Sequence, residues 1–312
     1  MRVYYNIDEF QKVDCPVLTT GTFDGVHLGH KKILSRLSEI AERSSGESVL
    51  LTFNPHPRMV LFTNDAGIKL LSTQKEKIRQ LEESGIDHLI IHPFTIAFSR
   101  LSSIEFVRDL LVNKLGIKKL VIGYNHQFGR NREGTLEHLR EYGPVYGFDV
   151  EEIPAKEIDN VNISSTKIRN ALKEGNVSIA NSFLGYNYSF EGIVVRGKEL
   201  GRTIGFPTAN IEIQDKEKLI PKDGVYAARA EVNGNQYNGM LNIGFKPTIE
   251  EGKPEAVRST IEINLFDFDD DIYGCVIKVE LIDRIRDEKK FVNLDELKNQ
   301  LVLDKSETDR IL

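Results

Sequence analysis

At 312 residues, 40% of them hydrophobic and 28% charged, the chain has the make-up of a soluble globular protein with room for two cores. A net charge of -6 argues against a general nucleic-acid binder, yet leaves nucleotide substrates open, since those need only local positive groups. No apolar run reaches the roughly 18 residues of a membrane span, residues 1–10 lack a signal-peptide core, and Cys15 and Cys275 lie far apart without metal-type spacing. The expectation is a cytoplasmic protein with free thiols, no membrane or nucleic-acid partner, and a monomeric or weakly homo-oligomeric state.

Strand-like apolar runs fall at 17–20, 48–53, 88–92 and 120–122, with helical spacing at 30–43, 74–84 and 104–115 between them. This alternation predicts an N-terminal doubly wound parallel α/β sheet with helices on both faces. Ligands in such sheets bind at the carboxyl ends of strands. Gly21, Asn54 and Tyr124-Asn125 each follow a strand, so they are expected to open on one crevice. The pattern changes after about Gly175. Short alternating strands at 190–196, 225–232, 236–243, 260–266 and 276–281, with Asn233-Gly234 as a hairpin turn, predict a small C-terminal antiparallel β-barrel. A terminal helix near 294–301, capped by Asn293, completes it. The boundary is placed within 176–187, giving domains 1–180 and 181–312.

Residues 21–30, GTFDGVHLGH, are the most informative stretch. They set His27 and His30 three apart at a strand-to-helix turn, beside a helix N-terminus whose unpaired N–H groups and dipole suit a phosphate. Gly21, Gly25 and Gly29 leave room for a ligand near the backbone. Taken alone, a capping histidine explains the motif equally well. Downstream, Ser164, Ser165 and Thr166 precede a short helix carrying Arg169. They read either as plain helix capping or as a triphosphate cradle of hydroxyls and N–H groups with a guanidinium one turn on.

The second half holds GRTIGFPTANI at 201–211. Thr208 and Asn210 lie two apart, so in an extended segment both point the same way. Their oxygens suit Mg²⁺, while the plainer reading is a loop entering a strand. Glu262 sits on the polar face of its strand, as a surface carboxylate or as a general base.

These motifs carry two resemblances. His-x-Gly-His followed by ISST-x-x-R resembles the nucleotidyltransferase superfamily, with its Rossmann-like fold. The segments 201–211, 221–230, 241–248, 261–274 and 285–291 resemble riboflavin kinase, in order. Together they resemble the prokaryotic bifunctional riboflavin kinase/FAD synthetase family. The resemblance implies two steps with ATP as co-substrate and Mg²⁺ as cofactor: riboflavin to FMN in the C-terminal domain, then FMN to FAD and pyrophosphate in the N-terminal one. It implies small-molecule partners only: riboflavin, FMN and ATP.

For the adenylyl-transfer site the resemblance implies that His27 and His30 donate to the phosphates. Ser164, Ser165, Thr166 and Arg169 hold the β- and γ-phosphates. Gly21, Thr22 and Phe23, with Asp24, Gly25 and Gly29, line the nucleotide pocket, and Asn125 faces the acceptor. For the kinase site it implies Glu262 as base, Thr208 and Asn210 on the metal, and nucleotide or flavin contacts from Gly201, Arg202, Gly205, Phe206, Pro207, Gly224, Val225, Tyr226, Asn242 and Arg286. Phe53, Phe62, Phe128, Phe206 and Phe291 are candidates to stack on the isoalloxazine. The chain departs from the usual family pattern at Asn54, at Asn125-His126 and at Asn264, where a histidine is favoured. A kinase with a degenerate adenylyltransferase domain, or a flavin-binding module without catalysis, are the alternatives.

Overall fold

The computed structural model describes residues 1–62, 67–123, 126–153, 163–197, 200–248 and 256–312. They form two compact units, Met1–Ser165 and Thr166–Leu312.

The first unit is built on a six-stranded parallel sheet in the order β1-β4-β3-β2-β5-β6. The strands are β1 Arg2–Tyr4, β2 Pro16–Thr20, β3 Glu47–Asn54, β4 His88–Pro93, β5 Lys119–Gly123 and β6 Asp149–Ile153. The four central strands were legible as apolar runs, because they are buried on both faces. The two edge strands were not: β1 has three residues, and β6 reads DVEEI, too acidic to stand out.

Alternation along the strands feeds two cores. Leu18, Val49, Leu51, Ile90, Leu120 and Ile122 pack on one face with Phe106, Leu111 and Leu139. Val17, Leu50, Leu89, Ile91 and Val121 pack on the other with Leu34, Leu37 and Ile40 of α1 (Leu28–Arg43) and Leu81 of α2 (Gln74–Glu82). Each of these leucines contributes about 1.5–3 kcal/mol by burial. Helices therefore cover both faces, as the doubly wound pattern requires. The stretch expected as a helix at 104–115 starts as an α-turn, Ser103–Glu105, and continues as a π-helix, Phe106–Lys114. A further helix, α3 (Leu136–Tyr146), carries Pro144 inside it, which masked its pattern.

The strand order reverses between β2 and β5. Their pairing stops at Leu18↔Leu120, whereas β2 stays paired with β3 through Thr20. The carboxyl ends of β2 and β5 therefore part, which opens the crevice this topology places at a switch point. The loop after β2 is the 21–30 stretch. The matching loop after β5 begins at Tyr124-Asn125, which lie outside the described residues.

The second unit is a closed barrel in the order β10-β11-β8-β7-β12-β9. Its strands are β7 Ser189–Val195, β8 Ala209–Glu212, β9 Gly224–Val232, β10 Asn235–Thr248, β11 Ala256–Leu265 and β12 Val276–Arg286, every pair antiparallel. Asn233 and Gly234 join β9 to β10 with φ of 49° and 81°, and Val232 pairs with Asn235. Positive φ at both positions of a two-residue loop marks the turn whose twist matches the strands. Closure leaves no free sheet edge. Two helices, α4 (Ser165–Glu174) and α5 (Val177–Leu184), precede the barrel. The terminal helix, α6 (Leu294–Ile311), is ten residues longer than the apolar pattern predicts, because its last turns bury Asp304 and Thr308 rather than leucines.

Candidate functional sites

The first site is the loop between β2 and α1. His27 is the N-cap of α1: its Nδ1 accepts from the backbone N–H of His30 at 3.3 Å. A neutral His27 therefore carries its proton on Nε2. The capping reading and the phosphate reading both draw on this geometry, since a ring that caps through one nitrogen presents the other as a donor. The His27 and His30 rings stack with centroids 3.6 Å apart and planes 15° apart. Gly29 makes this stack available: a Cβ there would press on the His27 ring at 3.3 Å. Phe23 lies against His30 at 4.7 Å.

His27 is buried, at 5% exposure. His30 is half-buried, and its Nδ1 is shielded with no hydrogen-bond partner among the described residues. Burial, then His27 and then Lys77, holds the His30 ring well below the usual histidine range, so it is neutral near pH 7. The loop is held by Asp24. Its carboxylate accepts from the Leu71 N–H at 3.0 Å and the Ser72 N–H at 3.2 Å, while Gly25 N–H donates to Ser72 Oγ at 3.1 Å. Ser165 Oγ donates to the Asp24 carbonyl at 3.1 Å. Thr22 offers its carbonyl to Thr52 Oγ1 and to Lys77 Nζ. The structure thus gathers Gly21 to His30 and Ser165 around one loop. Ser164 is half-buried, while exposed Thr166 and buried Arg169 belong to the second unit. Asn125 lies outside the described residues.

The second site is a cavity of about 460 Å³ in the barrel unit. Register builds its polar wall. Asn242 of β10 pairs with Glu262 of β11, which pairs with Asn210 of β8, so three polar side chains stand abreast on one face. Thr208 enters β8 with its Oγ1 3.5 Å from a Glu262 oxygen. Asn264, two residues along from Glu262, is only 6% exposed and donates to the Pro207 carbonyl at 2.6 Å. It thereby fixes the turn that delivers Thr208. The turn is tight: Phe206 N–H donates to the Gly201 carbonyl at 2.9 Å, and a Cβ on Gly201 would overlap the Phe206 carbonyl.

Gly201, Phe206, Thr208, Asn210, Val225, Asn242, Glu262 and Arg286 all line this cavity. Arg202, Gly205 and Pro207 lie on the exposed side of the same turn. Gly224 and Tyr226 are buried in β9 beside Val225, and the Tyr226 hydroxyl donates to the Lys222 carbonyl. Arg286 lines the cavity while its guanidinium is engaged elsewhere, by Asp304 of α6 at 2.7 and 2.9 Å and by the Asp287 carbonyl at 2.9 Å. Phe291 also lines the cavity. Phe53 and Phe128 pack in the aromatic cluster of the first unit, and Phe62 is exposed. Sequence reasoning missed Lys77 and Asp304, and read Asn264 only as a departure from the family pattern. Only Asp304 had a readable signal, an acidic residue on the apolar face of a helix.

Residues 11–167 match the FAD synthetase family and residues 184–312 match the riboflavin kinase family. Two curated relatives are the bifunctional riboflavin kinase/FMN adenylyltransferases of Bacillus subtilis (strain 168) and Escherichia coli (strain K12). The first is 40% identical over 94% of this chain and 92% of its own. The second is 38% identical over 97% of this chain and 95% of its own. The chain belongs to the bifunctional riboflavin kinase/FMN adenylyltransferase family. A crystal structure described as a macrolide-efflux protein from Streptococcus pneumoniae shares the fold over 99% of this chain and 98% of its own, with a TM-score of 0.88 and 32% identity. Among the described residues here, no helix is long and apolar enough to cross a membrane. The two family segments leave 168–183, most of α4 and of α5, to neither.

Proposed function

We infer that this chain makes FAD from riboflavin in two ATP-dependent steps. The riboflavin kinase segment phosphorylates riboflavin to FMN, and the FAD synthetase segment joins AMP from ATP to FMN, releasing pyrophosphate. The observation that carries this reading is that each segment contains its own polar site, one of stacked imidazoles and one of a carboxylate row.

In the kinase site Glu262 takes the proton from the ribityl 5′-hydroxyl as its oxygen attacks the γ-phosphorus, and ADP leaves. Thr208 and Asn210 would hold Mg²⁺ there. The donor set fits: a hydroxyl and a carboxamide are hard oxygens, placed with the Glu262 carboxylate on one wall. When bound, the ion supplies charge neutralisation to the nucleotide phosphates. Asn242 and the backbone of 201–206 and 224–225 orient substrate beside it.

In the adenylyl-transfer site an FMN phosphate oxygen attacks the α-phosphorus in line. The bond to the bridging oxygen breaks, and its electron pair leaves with pyrophosphate. No covalent enzyme intermediate is needed, so the work is positioning and charge stabilisation. His27 donates from Nε2, and His30 shares that role. Gly21 to Gly25 line the adenosine side, Ser164 to Thr166 and Arg169 take the β- and γ-phosphates, and Asn125 meets the acceptor. The functional domains are 1–180 and 181–312. Timed chromatography of flavins with riboflavin and MgATP tests the reading: FMN rises first and FAD follows with pyrophosphate release. FMN accumulating with no pyrophosphate would reduce the chain to a kinase alone.

A further inference from the structure

A triphosphate brings several negative charges to the 21–30 loop, yet His30 is held neutral and His27 uses Nδ1 to cap α1. Arg169 is one cation assigned to that charge, and the surroundings of the loop hold a second. α2 lies on the same face of the sheet as α1, and its entry is tied to the loop by the Asp24 carboxylate on the amides of Leu71 and Ser72. Thr73 caps α2 in a reciprocal pair with Glu76, which sets the next residue, Lys77, one turn into the helix. Its ammonium reaches back to the Thr22 carbonyl at 3.4 Å, inside the loop itself. Among the described residues that long bond is the one hydrogen bond the Lys77 ammonium makes, and no carboxylate forms an ion pair with it.

We propose that Lys77 is a phosphate-binding residue of the adenylyl-transfer site, contacting the nucleotide triphosphate and the departing pyrophosphate beside His27 and His30. The bond to Thr22 is long for a charged donor, whose bonds usually lie near 2.7–2.9 Å, and its acceptor is already served by Thr52 Oγ1 at 3.2 Å. Lys77 is thus poised over the loop and only loosely held there. Burial pulls the ammonium below the usual lysine range, and Asp24 only partly opposes this, so an arriving polyanion restores what desolvation removed. The shielded, unpartnered Nδ1 of His30 faces the same need for a ligand partner.

The inference rests on the histidine loop being the adenylyl-transfer site, and the test keeps the two apart. Full-length Lys77→Met and Lys77→Arg are compared with His27→Ala, with riboflavin phosphorylation by the second unit as the folding control. Lys77→Met is expected to slow FMN adenylylation by about 100-fold. It should weaken product inhibition by pyrophosphate about tenfold or more, as for loss of one charged contact, with KM for FMN unchanged. Lys77→Arg keeps the charge and should retain pyrophosphate inhibition near wild type. The His30 ring, followed by NMR, should titrate at higher pH in Lys77→Met, since a nearby positive charge has gone. Pyrophosphate inhibition unchanged in Lys77→Met, or lost equally in both variants, would make Lys77 a mere tether of Thr22 and overturn the proposal. Wild-type FAD formation by His27→Ala would instead overturn the site assignment.

Discussion

In the function proposed above, the two units position phosphate chemistry by different means. In the first, the site is a loop: Phe23, Gly25 and Val26 take positive φ, and the imidazoles are fixed by a helix cap, a ring stack and backbone bonds to Asp24. In the second, the site is a register: Asn242, Glu262 and Asn210 stand abreast because three strands pair in one alignment. A loop can bring backbone amides to an anion, which suits a step that needs only orientation and neutralisation. A ladder presents side chains at fixed spacing, which suits a step that also needs a base beside a hydroxyl.

The sharpest break between them is at Glu262. Glu262→Gln should lower riboflavin phosphorylation by about 10²–10⁴-fold, the usual worth of a general base. FMN supplied directly should still become FAD at the wild-type rate, measured by product chromatography. The mirror experiment is His27→Ala, which should slow FMN adenylylation by about 10²–10³-fold, as for loss of one preorganised donor, and leave FMN production intact. Equal loss of both products in either variant would dissolve the distinction between the sites.

A third prediction separates stability from chemistry. Asp304 is 1% exposed and holds Arg286 through two oxygens, with Gln300 adding a bond at 2.9 Å. Asp304→Ala leaves that arginine without its buried partner and should destabilise the barrel unit by about 3–5 kcal/mol. Thermal inactivation of the kinase should move to lower temperature, and that of adenylylation should not. The smallest effect concerns acid. Burial, with help from Arg132, lowers His126 to about 4, so the fold keeps this ring neutral. The unfolded chain binds that proton below its ordinary value near 6.5, so stability is full above that pH and falls as pH drops toward 4. His126→Gln should remove this dependence, a gain of at most about 2 kcal/mol at pH 5 by linkage, checked by urea midpoints of the first unit at pH 5 and pH 7.

Much of this was legible in the chain because hydrophobic alternation and motif spacing are local. Runs such as Val17-Leu18 and the strict alternation of Ile261, Ile263 and Leu265 announce a two-faced sheet and a barrel strand. The roles proposed for His27, His30, Thr208, Asn210 and Glu262 could be read from their residue types. What stayed hidden is long-range. Nothing in the sequence near Lys77 says that α2 folds back on Thr22, because the contact spans 55 residues. Asn264 reads as a departure from a favoured histidine, and only the fold shows it holding Pro207 from 57 residues away. Asp24 reads in the sequence as a lining residue of the nucleotide pocket, and only the fold shows its carboxylate also holding two backbone amides 47 and 48 residues on.

Leu297 and Leu301 of α6 form part of the kinase cavity, and Asp304 of the same helix grips Arg286. The sheet of the first unit is finished far upstream, at β6. During translation the adenylylating unit therefore has all its strands while the other still lacks a wall, and domains emerging from the ribosome fold in that order. A chain that stops before α6 would have the first sheet complete and the second unit's cavity without Leu297 and Leu301.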